Sequence, residues 1–446
     1  MKRNVLDQLV QWKRRPTRKP LLVQGARQVG KTWAIKEFAR REFDDIAYVD
    51  FLTDEDMKAV FDGSLDPERL LEAISLRTST DAGESNVLVV LDEIQECPRA
   101  LSSLKTFCER RPDVPIVAAG SLLGVALHGR RQSGNDEPRI SFPVGKVDFL
   151  TMYPMTFKEY LDAVGESRMA SVISEANTSL LDAFSERFTD HLRRYYFVGG
   201  MPEAVRTYAE IHDYSAVRDV QTNLLTAYEL DFSKYTTPQV SERIRYVWQS
   251  LPSQLARENK KFIYSAVRPG ARARGYEEAI QWLVDAGLAL RVRRITKAGL
   301  PLSGYEDPSA FKLYLLDTGL LGAASGLDAS TILAGNRLFT EFKGALAENY
   351  VCQALTASSK VIPRYWSAEN STGEVDFVYE WKGRVVPVEV KAEQNLRSKS
   401  LKAFLDRFHL ERGIRLSLSG FESQPWVTNV PLYAAGLLPD RIDAAE

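Results

Sequence analysis

The sequence comprises 446 residues with a formal net charge of −1 at pH 7, and 44% of the residues are hydrophobic while 26% are charged. A chain of this length exceeds what one hydrophobic core organises, so we expect about two to four domains of ordinary globular composition, neither fibrous nor disordered. Three widely spaced cysteines, Cys97, Cys108 and Cys352, exclude a disulfide framework and a zinc knuckle. No apolar run reaches the ~20 residues that span a bilayer and no signal-peptide pattern is present, so we predict a cytoplasmic protein without membrane insertion.

The chain begins with a basic amphipathic stretch and then enters a glycine loop. Residues 1–18 place apolar side chains at helical spacing against lysines and arginines, which predicts a helix that ends at Pro16. An apolar run at residues 21–23 then predicts a strand, and residues 33–38 continue with helical periodicity. Between them, residues 25–32 (GARQVGKT) fit the pattern G-x-x-x-x-G-K-[ST]. This strand, loop and helix together predict a phosphate-binding loop.

The glycine loop predicts which groups bind a triphosphate. Its backbone N–H groups converge on the phosphate oxygens, and the N-terminus of the following helix adds positive potential. Lys31 is predicted to reach the β and γ phosphates, and Thr32 is predicted to offer its hydroxyl to Mg²⁺. The residues predicted to surround the nucleotide are Gly25, Ala26, Arg27, Gln28, Val29, Gly30, Lys31 and Thr32. The alternative is a glycine-containing turn between a strand and a helix that matches the pattern by chance.

The second half of the predicted site follows two further strands. Residues 86–93 (NVLVVLDE) form a continuous apolar run that ends in two carboxylates, which is typical of a strand buried on both faces of a parallel sheet. Asp92 is predicted to hold Mg²⁺ through water, and Glu93 is predicted to orient and polarise the attacking water. An ordinary strand that exits into an acidic turn is the alternative. Residues 115–121 predict another strand, at whose end Ser121 contacts the attacking water or the γ phosphate, or else only opens a turn.

Five sequence motifs together resemble the bacterial and archaeal AAA+-like P-loop ATPases that carry a C-terminal domain of unknown function. The motifs are GARQVGKT, LDEIQ, AAGS, FPVGKVDFLTMYPMTFKEYL and YYFVGGMPEAV, and the resemblance covers nearly the whole chain. It implies an ATP hydrolase that uses ATP and Mg²⁺ and that receives an arginine finger from a neighbouring subunit. Arg130, Arg131 and Arg139 are candidates for that finger by position, with a solvated basic loop as the alternative. Lys146 stands where this family often has an arginine.

The middle of the chain predicts a helical connector followed by a winged helix. Residues 150–235 carry apolar side chains at helical spacing, which indicates core packing rather than a binding face. Residues 236–335 have the order of three helices and a two-stranded wing, a common DNA-reading arrangement. Six arginines of this segment are predicted to contact DNA phosphates: Arg268, Arg272, Arg274, Arg291, Arg293 and Arg294. The alternative is a protein-packing module whose arginines lie on the exposed face of a strand.

The last segment, residues 336–446, predicts a nuclease-like fold. Its order, α-β-β-β-α-β, resembles the PD-(D/E)xK nucleases, although Val375 stands where the usual proline precedes the aspartate. The predicted site residues are Glu348, Asp376, Glu389 and Lys391. Carboxylates suit Mg²⁺ or Mn²⁺, and Lys391 faces the same metal as Glu389 because strands have a period of two. The metal-free alternative is a charged hairpin in which Lys391 pairs with Asp376 or Glu389.

The sequence therefore predicts an α/β protein with four parts. They are a P-loop, AAA+-like parallel sheet (1–149), a helical connector (150–235), a winged helix (236–335) and a restriction-endonuclease-like α/β domain (336–446). The predicted function is Mg²⁺-dependent ATP hydrolysis coupled to a DNA-related task, such as DNA binding or cleavage in genome maintenance or defence. In the alternative, ATP binding switches a scaffold whose last two parts bind protein partners and cleave nothing. The predicted partners are ATP, DNA or another protein, and further copies of the chain.

Overall fold

The structure is a computed structural model that describes residues 2–125, 142–334, 340–359, 361–369, 373–393 and 397–438. The chain divides into two compact units. The first contains Arg3–Tyr153 together with Asp285–Gly287, and the second contains Pro154–Val284 and the residues from Leu288 onward.

The first unit is a parallel sheet with helices. Its helices are α1 (Val5–Lys13), α2 (Lys31–Glu42), α3 (Glu55–Asp62), α4 (Pro67–Thr78) and α5 (Pro98–Arg110). Its strands are β1 (Leu21–Gln24), β2 (Asp45–Asp50), β3 (Val87–Asp92), β4 (Ile116–Gly120) and β5 (Asp148–Thr151). The strands lie in the order β2-β3-β4-β1-β5, and every neighbouring pair runs parallel. The predicted α/β fold with a parallel sheet is confirmed.

Burial and strand direction explain where a site can form in this unit. Every residue of β3 and β4 is buried, as expected of central strands in a parallel sheet covered on both faces. Because the strands are parallel, the carboxyl ends of β1, β4 and β3 meet along one edge of the sheet. That edge brings together the glycine loop after β1, Ser121 after β4, and Asp92 at the end of β3.

The second unit combines helices with a mixed sheet. The remaining helices are α6 (Phe157–Ala163), α7 (Ser167–Ser174), α8 (Thr178–Ala183), α9 (Ser185–Val198), α10 (Pro202–Ile211), α11 (Tyr214–Asp231), α12 (Pro238–Leu255), α13 (Tyr264–Val267), α14 (Ala273–Asp285), α15 (Thr318–Ala324), α16 (Ala329–Ala334), α17 (Thr340–Ser359) and α18 (Lys399–Phe408). The remaining strands are β6 (Ala289–Ile295), β7 (Glu306–Leu315), β8 (Arg364–Ser367), β9 (Glu374–Trp381), β10 (Arg384–Val390), β11 (Gly413–Ser417), β12 (Glu422–Ser423) and β13 (Val427–Pro431). They form one sheet in the order β12-β13-β11-β10-β9-β8-β6-β7.

The two predicted wing strands belong to this larger sheet. β6 pairs antiparallel with β7 and parallel with β8, so the wing continues into the strands of the predicted nuclease-like segment. Ile295 and Leu302 pack in the same hydrophobic core as Trp366 and Phe404. The two segments therefore share a sheet and a core, and the domain boundary between residues 335 and 336 stays a prediction.

Candidate functional site

Two glycines let the chain turn sharply between β1 and α2. Gly25 has a φ of +145°, and a Cβ atom at this position would lie 2.3 Å from the carbonyl oxygen of Met152. Gly30 has a φ of +90° and directly precedes α2. Glycine adopts both conformations without a steric penalty. The loop therefore ends at the N-terminus of a helix, where unpaired N–H groups favour an anion.

Lys31 lies buried over this loop. Its Nζ atom donates hydrogen bonds to the carbonyl oxygens of Gly25 and Ala26, each at 2.8 Å. Burial lowers the pKa of Lys31 to about 8, although Glu93 and Asp92 oppose this shift by attracting the ammonium group. The positive charge of Lys31 thus lies close enough to Asp92, the last residue of β3, and to Glu93, which follows it, to interact electrostatically with both.

Asp92 ends β3 and is buried, with 4% of its surface exposed. Its Oδ2 atom accepts hydrogen bonds from the Thr32 hydroxyl at 2.9 Å and from the Tyr48 hydroxyl at 2.6 Å. Its Oδ1 atom accepts a hydrogen bond from the backbone N–H of Glu93 at 2.9 Å. Burial, followed by the hydrogen bond to Asp92, raises the pKa of Tyr48, so Tyr48 stays a protonated donor. A hydroxyl oxygen beside a carboxylate fits Mg²⁺, which prefers oxygen ligands.

Glu93 follows in a left-handed backbone conformation, with a φ of +50°. Its Oε2 atom accepts hydrogen bonds from the side-chain amide of Gln95 and from the hydroxyl of Ser121, the latter at 3.3 Å. Arg27 donates to the same hydroxyl at 3.4 Å. This series of hydrogen bonds links the glycine loop to the ends of β3 and β4.

Three supporting residues are not predicted by the motif analysis. Tyr48 and Gln95 hold the two carboxylates, as described above. Arg3 is buried and donates hydrogen bonds to the carbonyl oxygens of Val29 at 2.9 Å and Tyr153 at 2.8 Å. It thereby links the glycine loop to Tyr153. Gln95 belongs to the LDEIQ motif and so had a sequence signal, whereas Tyr48 and Arg3 lie in segments without one.

Comparison with known families identifies the domain that carries this site. Residues 17–161 match a family model described as an AAA domain. The chain carries a P-loop ATPase domain of the AAA class. The predicted ATP hydrolase is therefore confirmed, and this class implies ATP and Mg²⁺ as cofactors. Residues 189–331 match a model described as "Domain of unknown function (DUF8612)", and residues 343–433 match one described as "Domain of unknown function (DUF4143)". No curated protein matches the chain.

Several solved structures are similar to this ATPase. The Walker-type ATPase PABY2304 of Pyrococcus abyssi is 14% identical over 72% of this chain and 95% of that chain, with a TM-score of 0.44. PCH-2 of C. elegans is 14% identical over 47% of this chain and 62% of that chain, with a TM-score of 0.29. The Orc1 protein of Aeropyrum pernix, solved in complex with DNA, is 17% identical over 72% of this chain and 90% of that chain, with a TM-score of 0.27.

The six predicted DNA contacts of the ATPase fall into two groups. The three arginines of β6 form ion pairs: Arg291 with Glu277 at 2.7 Å, Arg293 with Glu306 at 2.9 Å, and Arg294 with Asp307 at 2.8 Å. Arg268, Arg272 and Arg274 are exposed. Because carboxylates balance the β6 arginines, the exposed group carries more of the positive surface charge.

The resemblance to AAA+-like ATPases also draws attention to three arginines and to Lys146. Arg130, Arg131 and Arg139, the candidates for an arginine finger, lie outside the described residues. Lys146 pairs with Glu109 at 2.9 Å.

Over the parts of the chain that the structure describes, no helix is both long enough and apolar enough to cross a membrane.

The residues of the predicted nuclease centre lie on β9, β10 and α17. β9 pairs with β10 as far as Phe377 opposite Val388, and Asp376 and Glu389 are the next residues of the two strands. Asp376 accepts a hydrogen bond from the backbone N–H of Val390 at 2.7 Å, and the Nζ atom of Lys391 lies 2.6 Å from Glu389. The hairpin therefore brings these three charged residues together, in the pairing of Lys391 with Glu389 that the metal-free alternative predicts.

Glu348 of the ATPase, on α17, has other partners. Its carboxylate accepts hydrogen bonds from Lys260 at 2.6 Å and from the Tyr314 hydroxyl at 3.0 Å. Among the described side chains, no group of three or more His, Cys, Asp or Glu is arranged to hold a metal ion. The residues of the predicted nuclease centre therefore do not support the predicted second Mg²⁺ or Mn²⁺ ion.

Proposed function

We propose that this ATPase binds MgATP between the loop after β1 and the end of β3, and that Glu93 activates water for hydrolysis. The hydrogen bond of 2.9 Å between the Thr32 hydroxyl and Asp92 supports the proposal most directly. It joins the last residue of the glycine loop to the strand end that carries Glu93. Two separate sequence motifs thus contribute to one region of the fold, which a chance match to either motif does not explain.

The proposed residues have distinct chemical roles. The loop N–H groups and the Lys31 ammonium bind the β and γ phosphates. Thr32 and Asp92 hold Mg²⁺, which when bound neutralises charge on the phosphate oxygens. The carboxylate of Glu93 accepts a hydrogen bond from the attacking water and orients it toward the γ phosphate. Ser121, 3.3 Å from that carboxylate, is positioned to contact the same water.

Two substitutions separate binding from hydrolysis. Lys31→Ala should lose ATP affinity, whereas Glu93→Gln should bind ATP and turn it over more slowly, by roughly 10²-fold or more. Glu72→Gln makes the same chemical change at an exposed position of α4 and should keep the wild-type rate. Calorimetric titration with a non-hydrolysable ATP analogue and a phosphate-release assay measure the two quantities. Turnover by Glu93→Gln at the wild-type rate would refute the proposed role of Glu93.

We further propose that ATP turnover serves a DNA-related task, in genome maintenance or in defence against foreign DNA. The exposed guanidinium groups of Arg268, Arg272 and Arg274 support this proposal because such groups can neutralise DNA phosphates. The ion pairs of the β6 arginines favour a second candidate, a nucleotide-dependent switch whose second unit binds a protein partner. DNA binding, rather than cleavage, is the DNA activity that these observations support.

Stimulation of the ATPase by DNA distinguishes these two candidates. The rate should be measured with and without duplex DNA at about 50 and about 200 mM salt, since phosphate contacts weaken steeply with salt. A variant in which Arg268, Arg272 and Arg274 are all changed to glutamate should lose the stimulation, while Arg14→Glu with Arg15→Glu, at exposed positions after α1, should retain it. A rate that is indifferent to DNA in every variant favours the protein switch.

A further inference from the structure

A buried cluster of lysines and carboxylates lies at the predicted nuclease centre. Lys312, on β7, has no exposed side-chain surface, and its Nζ atom lies 2.5 Å from Glu374, 3.6 Å from Glu348 and 4.0 Å from Asp376. Lys260 approaches Glu348 from a different segment at 2.6 Å, and only 11% of its side chain is exposed. The two ammonium groups thus adjoin two of the carboxylates that the nuclease pattern assigns to a metal ion.

Each buried lysine of the centre is paired with carboxylates. The side chain of Lys312 is fully buried, and its ammonium group lies within 4.0 Å of Glu348, Glu374 and Asp376. Lys260 pairs with Glu348, and only 7% of the Glu348 side chain is exposed. A buried charge is tolerated only when it is paired in this manner, so each group depends on the others.

The charges of the centre nearly balance without a metal ion. Four carboxylates, Glu348, Glu374, Asp376 and Glu389, adjoin three ammonium groups, Lys260, Lys312 and Lys391. A divalent ion placed between Glu348 and Asp376 would meet the ammonium group of Lys312 and be repelled. Glu389 Oε2 is buried without a hydrogen-bond partner, but one such oxygen is far fewer than the ligands that a hard divalent ion requires.

We propose that Lys312 and Lys260 are the resident cations of this centre. Their ammonium groups take the place that a divalent ion has in an active nuclease, and the centre holds β7 against α17 and β9 instead of cutting DNA. The proposal rests on the position of Lys312. This lysine of β7 lies among Glu348 of α17 and Glu374 and Asp376 of β9. The proposal is independent of the nucleotide site, because it uses none of that site's residues.

Metal binding by the full chain without nucleotide gives the first test. Bound Mn²⁺ per chain, measured by electron paramagnetic resonance, should be the same for the wild type and for a variant combining Asp376→Asn with Glu389→Gln. Plasmid DNA incubated with either protein and Mg²⁺ or Mn²⁺ should stay intact. A Mn²⁺ ion that the double substitution removes, or cleavage that it abolishes, would overturn the proposal.

Removal of the lysines gives the second test. Lys312→Met leaves buried carboxylates unpaired and should lower the thermal unfolding midpoint by on the order of 5–10 °C. Lys260→Met, at a partly exposed position, should act in the same direction to a smaller extent and serves if Lys312→Met does not fold. Lys261→Met changes the exposed neighbouring lysine and should leave the midpoint unchanged. Wild-type midpoints for both Lys312→Met and Lys260→Met would contradict the proposal.

Discussion

Glu93 depends on its neighbours for its orientation. A φ of +50° is unfavourable for a residue with a Cβ atom, so contacts elsewhere must hold this conformation. Gln95 donates a hydrogen bond to the Glu93 carboxylate. Gln95 in turn packs closely on Gly120, because a Cβ atom at Gly120 would lie 2.5 Å from the Oε1 atom of Gln95. The amide of Gln95 is therefore well placed to fix the carboxylate that is proposed to activate water.

Gln95→Ala should therefore slow hydrolysis without weakening nucleotide binding. The loss of one positioning hydrogen bond is expected to lower kcat by roughly 5-fold, because about 1 kcal/mol of orientation energy is removed. The dissociation constant for ATP should change by less than about twofold, since Gln95 is not proposed to contact the phosphates. Gln239→Ala, at an exposed position of α12, is the control and should match the wild type. An unchanged kcat for Gln95→Ala would show that Glu93 is positioned by other groups.

The pKa of Lys31 predicts a pH dependence of ATP binding. Burial lowers this pKa to about 8, and a bound triphosphate favours the charged ammonium form. Above pH 8 the unbound protein loses the Lys31 proton and must regain it to bind ATP, so affinity should fall by up to about tenfold per pH unit. Titrations between pH 7 and pH 10 measure this slope. Lys31→Arg keeps its charge over that range and should show a flatter profile, whereas equal slopes would contradict the assignment.

Motif spacing predicts which side chains meet at the nucleotide site. The glycine loop and the two carboxylates lie at the carboxyl ends of strands that share one edge of a parallel sheet, and this brings together Lys31, Thr32, Asp92 and Glu93. Their chemical roles stay predictions. Motif spacing does not predict the role of Tyr48. Its hydrogen bond to Asp92 depends on the pairing of β2 with β3, and residue spacing does not reveal which strands pair.

Among the elements of the second unit, a glycine pair allows close contact between α9 and α15. A Cβ atom at Gly199, whose φ is +72°, would lie 2.2 Å from a carboxylate oxygen of Asp317, and one at Gly200 would lie 2.1 Å from the carbonyl oxygen of Met155. The N–H of Gly200 donates to Asp317 at 2.6 Å, and Asp317 also caps the first turn of α15. Packing beside a buried carboxylate therefore explains the two glycines of the YYFVGGMPEAV motif.

Two glycine substitutions separate backbone strain from this close packing. Gly165 and Gly199 both have positive φ, but a Cβ atom at Gly165 meets nothing within 4 Å. Gly165→Ala should therefore lower the free energy of unfolding by about 1 kcal/mol, the usual cost of a side chain in this conformation. Gly199→Ala should lower it by about 3 kcal/mol or more, because the new methyl group also collides with Asp317. Urea unfolding measures both values, and equal losses would rule out the proposed crowding at Gly199.

Element order was more predictable than element pairing. Periodicity and turn residues predict β6 and β7 as an antiparallel pair, because the two strands are close in the sequence. The pairing of β6 with β8 joins Arg293 to Arg364, which are far apart in the chain and linked by no local signal. For the same reason the sequence does not predict that Lys312 of β7 enters the carboxylate cluster on α17 and β9.

For the whole molecule, the main expectation concerns assembly. The resemblance to AAA+-like ATPases implies that a neighbouring copy supplies an arginine to the γ phosphate. Such an arginine neutralises charge in the transition state and accelerates hydrolysis by about 10³-fold or more. A site completed by a second copy makes hydrolysis depend on association, and ATP binding should then favour the associated state because ATP contacts both copies.

The mass of the protein should therefore depend on its nucleotide state. Glu93→Gln with MgATP holds the bound state and should form an oligomer by light scattering, whereas Lys31→Ala under the same conditions should match the nucleotide-free wild type. The specific ATPase activity of the wild type should also rise with protein concentration, because dilution separates the copies that complete each site. Glu72→Gln with MgATP provides the control for a substitution outside the site. A monomeric mass for Glu93→Gln with ATP, together with a specific activity that dilution leaves constant, would mean that each chain completes its own site.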